Sequence, residues 1–265
     1  MESGLVWWCR LLLLAGVVTV GCRGHGRLLE PVSRASAWRL GWPTPVDYDD
    51  NQGFCGGFWR QHEVNSGKCG ICGDPWDEEQ RPHEAPGGPY ATGTIVRHYV
   101  QAQVITLIVD ITSNHRGHFE VSICPDPEVE ATQECLDMYP LPLADGSGYE
   151  YNISLNTGEH SLQLMLPPHL TCTHCVLQWR YVAGNNWGIC EDGSGALGCG
   201  PQEEFRACAD VAVSQPSPRT RLGFRRALQP SSSRETGGGR PLPPHHHRDE
   251  APRSSEAPSP AAKHV

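Results

Sequence analysis

Long apolar runs, methionine and net positive charge are what this sequence has least of. Beyond the N-terminal segment no run reaches the roughly 18 apolar residues needed to cross a bilayer, which excludes a multi-span membrane protein. Only three methionines and 19% charged residues argue against a Met-lined groove or a coiled coil. The 21 Lys and Arg are outnumbered by 30 Asp and Glu. The resulting net charge of -9 excludes non-specific nucleic-acid binding, because a phosphate-seeking surface needs a basic excess. Helical periodicity never lasts beyond about three turns, and no internal repeat is visible. What the chain does have is 12 cysteines, 8 tryptophans, 29 glycines and 23 prolines in 265 residues. That composition points to a secreted, disulfide-stapled, mainly β protein.

The two ends differ from the middle. Arg10 followed by the apolar stretch Leu11 to Val20 and the small residues Gly21, Cys22 and Gly24 reads as a secretory signal over residues 1–24. Cleavage after Gly24 makes His25 the first residue of the mature chain; a rival cut after Gly21 lacks the large apolar residue that a lipoprotein site would place at Thr19. From Ser214 to Val265 the chain is rich in Pro, Ser, Arg and Gly, and it is read as a disordered tail. Charge separates the parts as well: residues 25–213 carry -15 and the tail +5. The tail lacks the hydrophobic end of a lipid-anchor signal, so the mature chain is expected to be extracellular, off the membrane and monomeric.

The 189 residues between these ends suffice for one core. They hold ten cysteines: Cys55, Cys69, Cys72, Cys124, Cys135, Cys172, Cys175, Cys190, Cys199 and Cys208. An even number in an oxidising compartment implies five disulfides of undetermined connectivity. The pairs Cys69/Cys72 and Cys172/Cys175 also have zinc-ligand spacing, but disulfides are the expected fate outside the cell. Asn152-Ile153-Ser154 is a glycosylation acceptor. Alternating β-branched segments predict strands over residues 94–100, 104–111, 118–124, 161–166, 176–182 and 207–213. Several short strands punctuated by turn residues indicate a β-sandwich. Pro43 to Gly93 is expected to be an irregular, disulfide-held excursion.

Among 13 histidines, two have distinctive chemistry. As a mature N-terminus, His25 offers an α-amino group and an imidazole on one residue, able to chelate one metal ion. The α-amino group, with its ordinary pKa of about 7.7–8.0, yields its proton to a metal near neutral pH. His115 lies in Ser113-Asn114-His115-Arg116-Gly117-His118, a turn between two strands, where a rigid scaffold can present a side chain. One more imidazole completes a three-nitrogen set suited to copper. The tail cluster His245-His246-His247 offers no fixed geometry. His62, His83, His160, His169 and His174 are expected at the surface, and His98 partly buried in a strand.

The opening His25-Gly-Arg-Leu-Leu-Glu-Pro-Val-Ser-Arg-Ala-Ser resembles the mature start of lytic polysaccharide monooxygenases of the type-4 chitin-binding family. Asn51-Gln-Gly-Phe-Cys-Gly-Gly, Cys69-Gly-Ile-Cys-Gly-Asp, Asn114-His-Arg-Gly-His-Phe-Glu, Leu177-Gln-Trp-Arg-Tyr, Asn186-Trp-Gly and Gly198-Cys-Gly-Pro-Gln-Glu-Glu-Phe-Arg-Ala-Cys-Ala-Asp are similar to its animal branch. Together these motifs span residues 25–213.

The resemblance implies an immunoglobulin- or fibronectin-like β-sandwich with long disulfide-held loops and one copper ion. The implied ligands are the amino group and ring of His25 and the ring of His115. It places Phe205 beside the axial copper position, where it supplies no strong ligand, and puts Gln202 and Glu203 around the site. Ser113 stands where relatives often have Ala, two residues before the second ligand. The implied reaction is oxidation of insoluble β-1,4-linked polysaccharide, chitin ahead of cellulose, by hydrogen abstraction at C1 or C4. Its co-substrate is O2 or H2O2, with an external reductant. Nothing resembles the carboxylate pair of a glycoside hydrolase. The competing readings are a non-catalytic chitin- or matrix-binding module on the same fold, and a secreted signalling or structural protein in which His25 is internal.

Overall fold

The computed structural model describes residues 25–125 and 130–216. The expected signal segment, and the expected tail from residue 217 onward with its histidine cluster, lie outside the described residues. Ten strands form two sheets and a hairpin: β1 (His25–Glu30), β2 (Arg97–Val100), β3 (Val104–Ser113), β4 (His118–Cys124), β5 (Tyr151–Asn152), β6 (Gly158–Met165), β7 (Cys172–Val182), β8 (Trp187–Ile189), β9 (Gly195–Leu197) and β10 (Glu204–Ser214). One sheet has the order β1-β3-β6 and the other β2-β10-β7-β4-β5, while β8 and β9 pair with each other. All pairings are antiparallel except β2 with β10. The protein is a β-sandwich, as its alternating segments predicted. Among the described residues, no helix is long and apolar enough to cross a membrane.

The core follows from period-two alternation. In β3, Ile105, Leu107, Val109 and Ile111 point inward and are almost wholly buried, while Thr106, Ile108 and Asp110 face the other way. They meet Leu162 and Leu164 of β6, and Phe119, Leu177, Trp179, Tyr181 and Phe205 of the opposite sheet. By contrast, β7 and β10 are buried on both faces. Their outer face is covered by the irregular segment that precedes β2 and by α1 (Gln133–Met138). This cover explains why charged residues of β10 are interior. Asp210 receives two hydrogen bonds from Arg34, at 2.8 and 2.6 Å, and Arg206 is paired with Glu204 at 2.6 Å.

Disulfides hold the cover in place. The pairs are Cys55–Cys69, Cys72–Cys208, Cys124–Cys135, Cys172–Cys175 and Cys190–Cys199. The two Cys-x-x-Cys motifs have different fates: Cys172 and Cys175 pair with each other, whereas Cys69 and Cys72 take separate partners. Short turns of 3-10 helix (Ala37–Leu40) and π-helix (Arg60–Val64) are the regular elements of the irregular segment.

Several expectations need correcting. Ser214 belongs to β10 rather than to a tail: its carbonyl accepts from the Gln101 N–H at 2.9 Å and its hydroxyl donates to Tyr99 at 3.3 Å. His98 is exposed, because its phase on the edge strand β2 is opposite to that of buried Tyr99. His160 is buried against Phe119, and His83 and His174 are committed to carboxylates. His25–Glu30 forms a strand that alternation did not reveal.

Candidate metal centre

Two chain segments far apart in sequence meet at one end of the sandwich. β1 pairs with β3 so that His25 lies opposite Ser113, and His115 follows two residues later. A bulge between His25 and Gly26 frees the Gly26 N–H to donate to the Asn51 carbonyl at 3.2 Å. The Thr112 hydroxyl donates to the His25 carbonyl at 3.3 Å. Gly26 allows close approach: a Cβ there would stand 2.9 Å from both Ile111 and Trp179 side chains. The first turn of chain after His25 is therefore seated directly on the core.

The β3–β4 turn is fixed with equal care. The Asn114 side-chain oxygen accepts from the Arg116 N–H at 2.7 Å, and its amide donates to the carbonyls of Ser154 and Asn156, each at 2.8 Å. Arg116 and Gly117 take φ of 60° and 86°. A Cβ on Gly117 would lie 2.0 Å from the Val182 carbonyl oxygen, so only glycine lets the turn pass this close to β7. The backbone of His115 is held from both sides: its N–H donates to the Tyr181 hydroxyl at 2.8 Å and its carbonyl accepts from Gly184 at 2.8 Å.

The His115 side chain is a different matter. It is 5% exposed, yet neither ring nitrogen has a hydrogen-bond partner among the described residues. Glu203 Oε2 is 3.4 Å from Nδ1, within ion-pair range but not aligned as a hydrogen bond. Phe205, 1% exposed, presents its ring edge-on to His115 at 6.3 Å between centroids and stacks on Tyr181 at 5.4 Å. Burial pushes the Tyr181 phenol far above its ordinary range, so it stays a neutral hydrogen-bonding group.

Of the other residues singled out in the sequence, Gln202 is a clamp for the hairpin that carries β8 and β9. Its amide nitrogen donates to the carbonyls of Asn186 and Cys199 at 3.1 and 2.8 Å, and its oxygen accepts from the Asn186 N–H at 3.0 Å. The Gln202 carbonyl receives the His62 Nε2–H at 2.7 Å. Ser113 is the last residue of β3 and sits opposite His25. Asn152, in the edge strand β5, is exposed as a glycan acceptor must be. Sequence reasoning missed Tyr181 and Asn114. The signal for Asn114 was present, as an Asn two residues before a positive-φ Arg-Gly pair; that for Tyr181 was only its phase with Trp179.

A buried imidazole without hydrogen bonds, two residues beyond the strand partner of His25 on a rigid sandwich, suits a metal ligand. Residues 25–211 match the family model described as "Lytic polysaccharide mono-oxygenase, cellulose-degrading". The chain belongs to the lytic polysaccharide monooxygenase family, whose members are copper-dependent enzymes that cleave polysaccharide oxidatively. Among solved structures, it is 44% identical to a lytic polysaccharide monooxygenase AA15 from Thermobia domestica in the Cu(I) state, with a TM-score of 0.70, covering 72% of this chain and 100% of that one. This likeness places it in the animal-type branch. A chitin binding domain from Burkholderia pseudomallei is 13% identical with a TM-score of 0.42, again over 72% of this chain and 100% of the other. The copper complex of the cellulose-active enzyme CelS2 is 18% identical with a TM-score of 0.39 and the same coverages. Comparison with curated proteins gives no match.

The residues present fit a copper ion. Leaving two ring nitrogens buried without hydrogen bonds costs about 1–3 kcal/mol each, and a metal–nitrogen bond would remove that penalty at one of them. Imidazole nitrogen is a preferred donor for copper, and the neighbouring Phe205 adds no competing ligand.

Proposed function

We propose that the chain, processed to begin at His25, oxidatively cleaves insoluble β-1,4-linked polysaccharide outside the cell, with chitin ahead of cellulose. The observation that carries this reading is the unpartnered, buried His115 imidazole set beside the start of β1. Copper would be held by the amino group and ring of His25 and by the ring of His115. The bound metal, reduced by an external donor, supplies activation of O2 or H2O2 for hydrogen abstraction at C1 or C4 of the sugar.

The protein residues orient and shield. Tyr181 and Gly184 fix the His115 backbone, Asn114 fixes its turn, and Phe205 keeps water from one side of the ring. Glu203, with a side chain 13% exposed, stands where it can take or give a proton at the rim. It borders a shallow depression shared with Phe58 and Trp59. Trp59 is 69% exposed and offers a flat apolar face to a sugar ring.

The test is to isolate the secreted protein, identify its first residue by mass spectrometry, and incubate it with copper, reductant and either chitin or cellulose. Oligosaccharides oxidised at C1 or C4 are expected, chitin giving the higher yield. A chain with one extra residue ahead of His25 should bind copper far more weakly. Binding to chitin without oxidised ends would instead support a non-catalytic module.

A further inference from the structure

β4 carries His118 and Glu120 two residues apart, so both side chains stand on the same face of the sheet, the face turned away from buried Phe119 and Val121. The β4–β5 pairing sets His118 opposite Asn152 and brings the preceding Glu150 alongside. One ligand atom from each of His118, Glu120 and Glu150 lies within 4.8 Å of the other two. Glu120 divides its oxygens: Oε2 accepts from Arg180 at 2.9 Å, while Oε1 is 3.2 Å from His118 Nε2. Arg180 is shared with Glu204 at 2.6 Å, and Glu204 is paired again with Arg206. Glu150 is exposed and its carboxylate has no hydrogen bond or ion pair among the described residues.

We propose that His118, Glu120 and Glu150 form a second metal site, selective for a zinc-like divalent cation and separate from the copper ligands. One imidazole nitrogen and two carboxylate oxygens suit zinc with a fourth position open to water, whereas calcium and magnesium prefer all-oxygen sets. Tetrahedral zinc with bonds of about 2.0–2.2 Å needs ligand atoms about 3.4 Å apart. His118 and Glu120 are already close to that spacing, and the exposed Glu150 has at most ~1.4 Å to travel. Arg180 occupies only Oε2 of Glu120, so Oε1 is available to the ion. A bound cation ties β4 to the segment leading into β5, next to the stretch whose carbonyls hold Asn114.

The rival arrangement holds no ion: the contact between His118 and Glu120 would be a plain hydrogen bond. The test uses the full chain with copper loaded and with His245, His246 and His247 changed to Ala, so that the tail cluster takes no zinc. Zinc is added at pH 7.5, followed by calorimetry and by metal counting after dialysis. One zinc per chain is expected, with the copper EPR spectrum unchanged and the same zinc stoichiometry in a His115→Ala background. Glu150→Gln, at an exposed position, should weaken zinc at least tenfold, and His118→Asn should abolish binding. No zinc uptake, His118 ring resonances that ignore zinc, or undiminished affinity in Glu150→Gln would each overturn the proposal.

Discussion

The phenolic oxygen of Tyr181 accepts the backbone N–H of His115 at 2.8 Å, joining the central strand β7 to the turn that presents the imidazole. Tyr181→Phe removes that acceptor and leaves a buried N–H unsatisfied, at a cost of about 1–3 kcal/mol. The expected result is a lower melting temperature together with a weaker, spectroscopically broadened copper site. A variant with native copper EPR and native affinity would show that Gly184 and Asn114 hold the turn without it.

Replacing His115 itself should behave differently. Its ring nitrogens are buried and unpartnered, so His115→Ala trades lost packing against a relieved desolvation cost of about 1–3 kcal/mol per nitrogen. The metal-free variant should match the parent's stability within about 1 kcal/mol. Copper at ~100 times its Kd should add about 2.7 kcal/mol to the parent and nothing to the variant. Denaturant melts with and without copper measure both quantities.

Gly117→Ala should be more damaging than any side-chain truncation in the turn. The backbone φ is 86° and the added Cβ would meet the Val182 oxygen at 2.0 Å. The turn must move off β7, carrying His115 with it, and a loss of about 2 kcal/mol or more is expected. Chemical denaturation reports the loss, and copper affinity should fall in the same variant.

Two buried ionic sites set the pH range of stability. Burial alone would favour neutral His83, but hydrogen bonds to Asp47 and Asp74 raise its pKa from 6.5 to about 9. A raised value means that its contribution is complete below about pH 6.5 and is lost as pH climbs through about 9. Glu204 runs the other way. Burial would raise it, yet Arg180 and Arg206 hold it at about 2, so its contribution is complete above pH 4.5 and fades as pH falls towards 2. Stability should therefore plateau between about pH 4.5 and 6.5. His83→Gln should flatten the alkaline slope, worth up to about 3 kcal/mol, and leave the acid slope unchanged.

The sandwich was legible in the sequence wherever one face of a strand is buried and the other is not. β3 and β4 alternate residue by residue and were read within two residues of their bounds. β1 was not, because His25-Gly-Arg-Leu-Leu-Glu gains its extended form from pairing with β3 rather than from its own pattern. The His115 turn could be read from its polar residues between two apolar runs. The partners of His83 and Arg34 could not, since Arg34 meets Asp210 across 176 residues and no local rule links them. Gln202 was read as a group around the site; its amide is spent on the backbone of the β8–β9 hairpin, a use that composition does not announce.

The Cys72–Cys208 bridge spans 136 residues and fastens the early irregular segment to the last strand. It also orders events during synthesis. Of the strands, β1 with His25 is made first, while β7 and β10, which carry Tyr181 and Phe205 beside His115, are made late. At about 5–20 residues per second, the interval between His25 and Phe205 is on the order of 10–40 s. Once Ser113 has been made, in the later part of that time, β1 has its strand mate β3 but not the strands that complete its surroundings. A chain truncated before β10 would therefore present the His115 turn without the strand that carries Phe205.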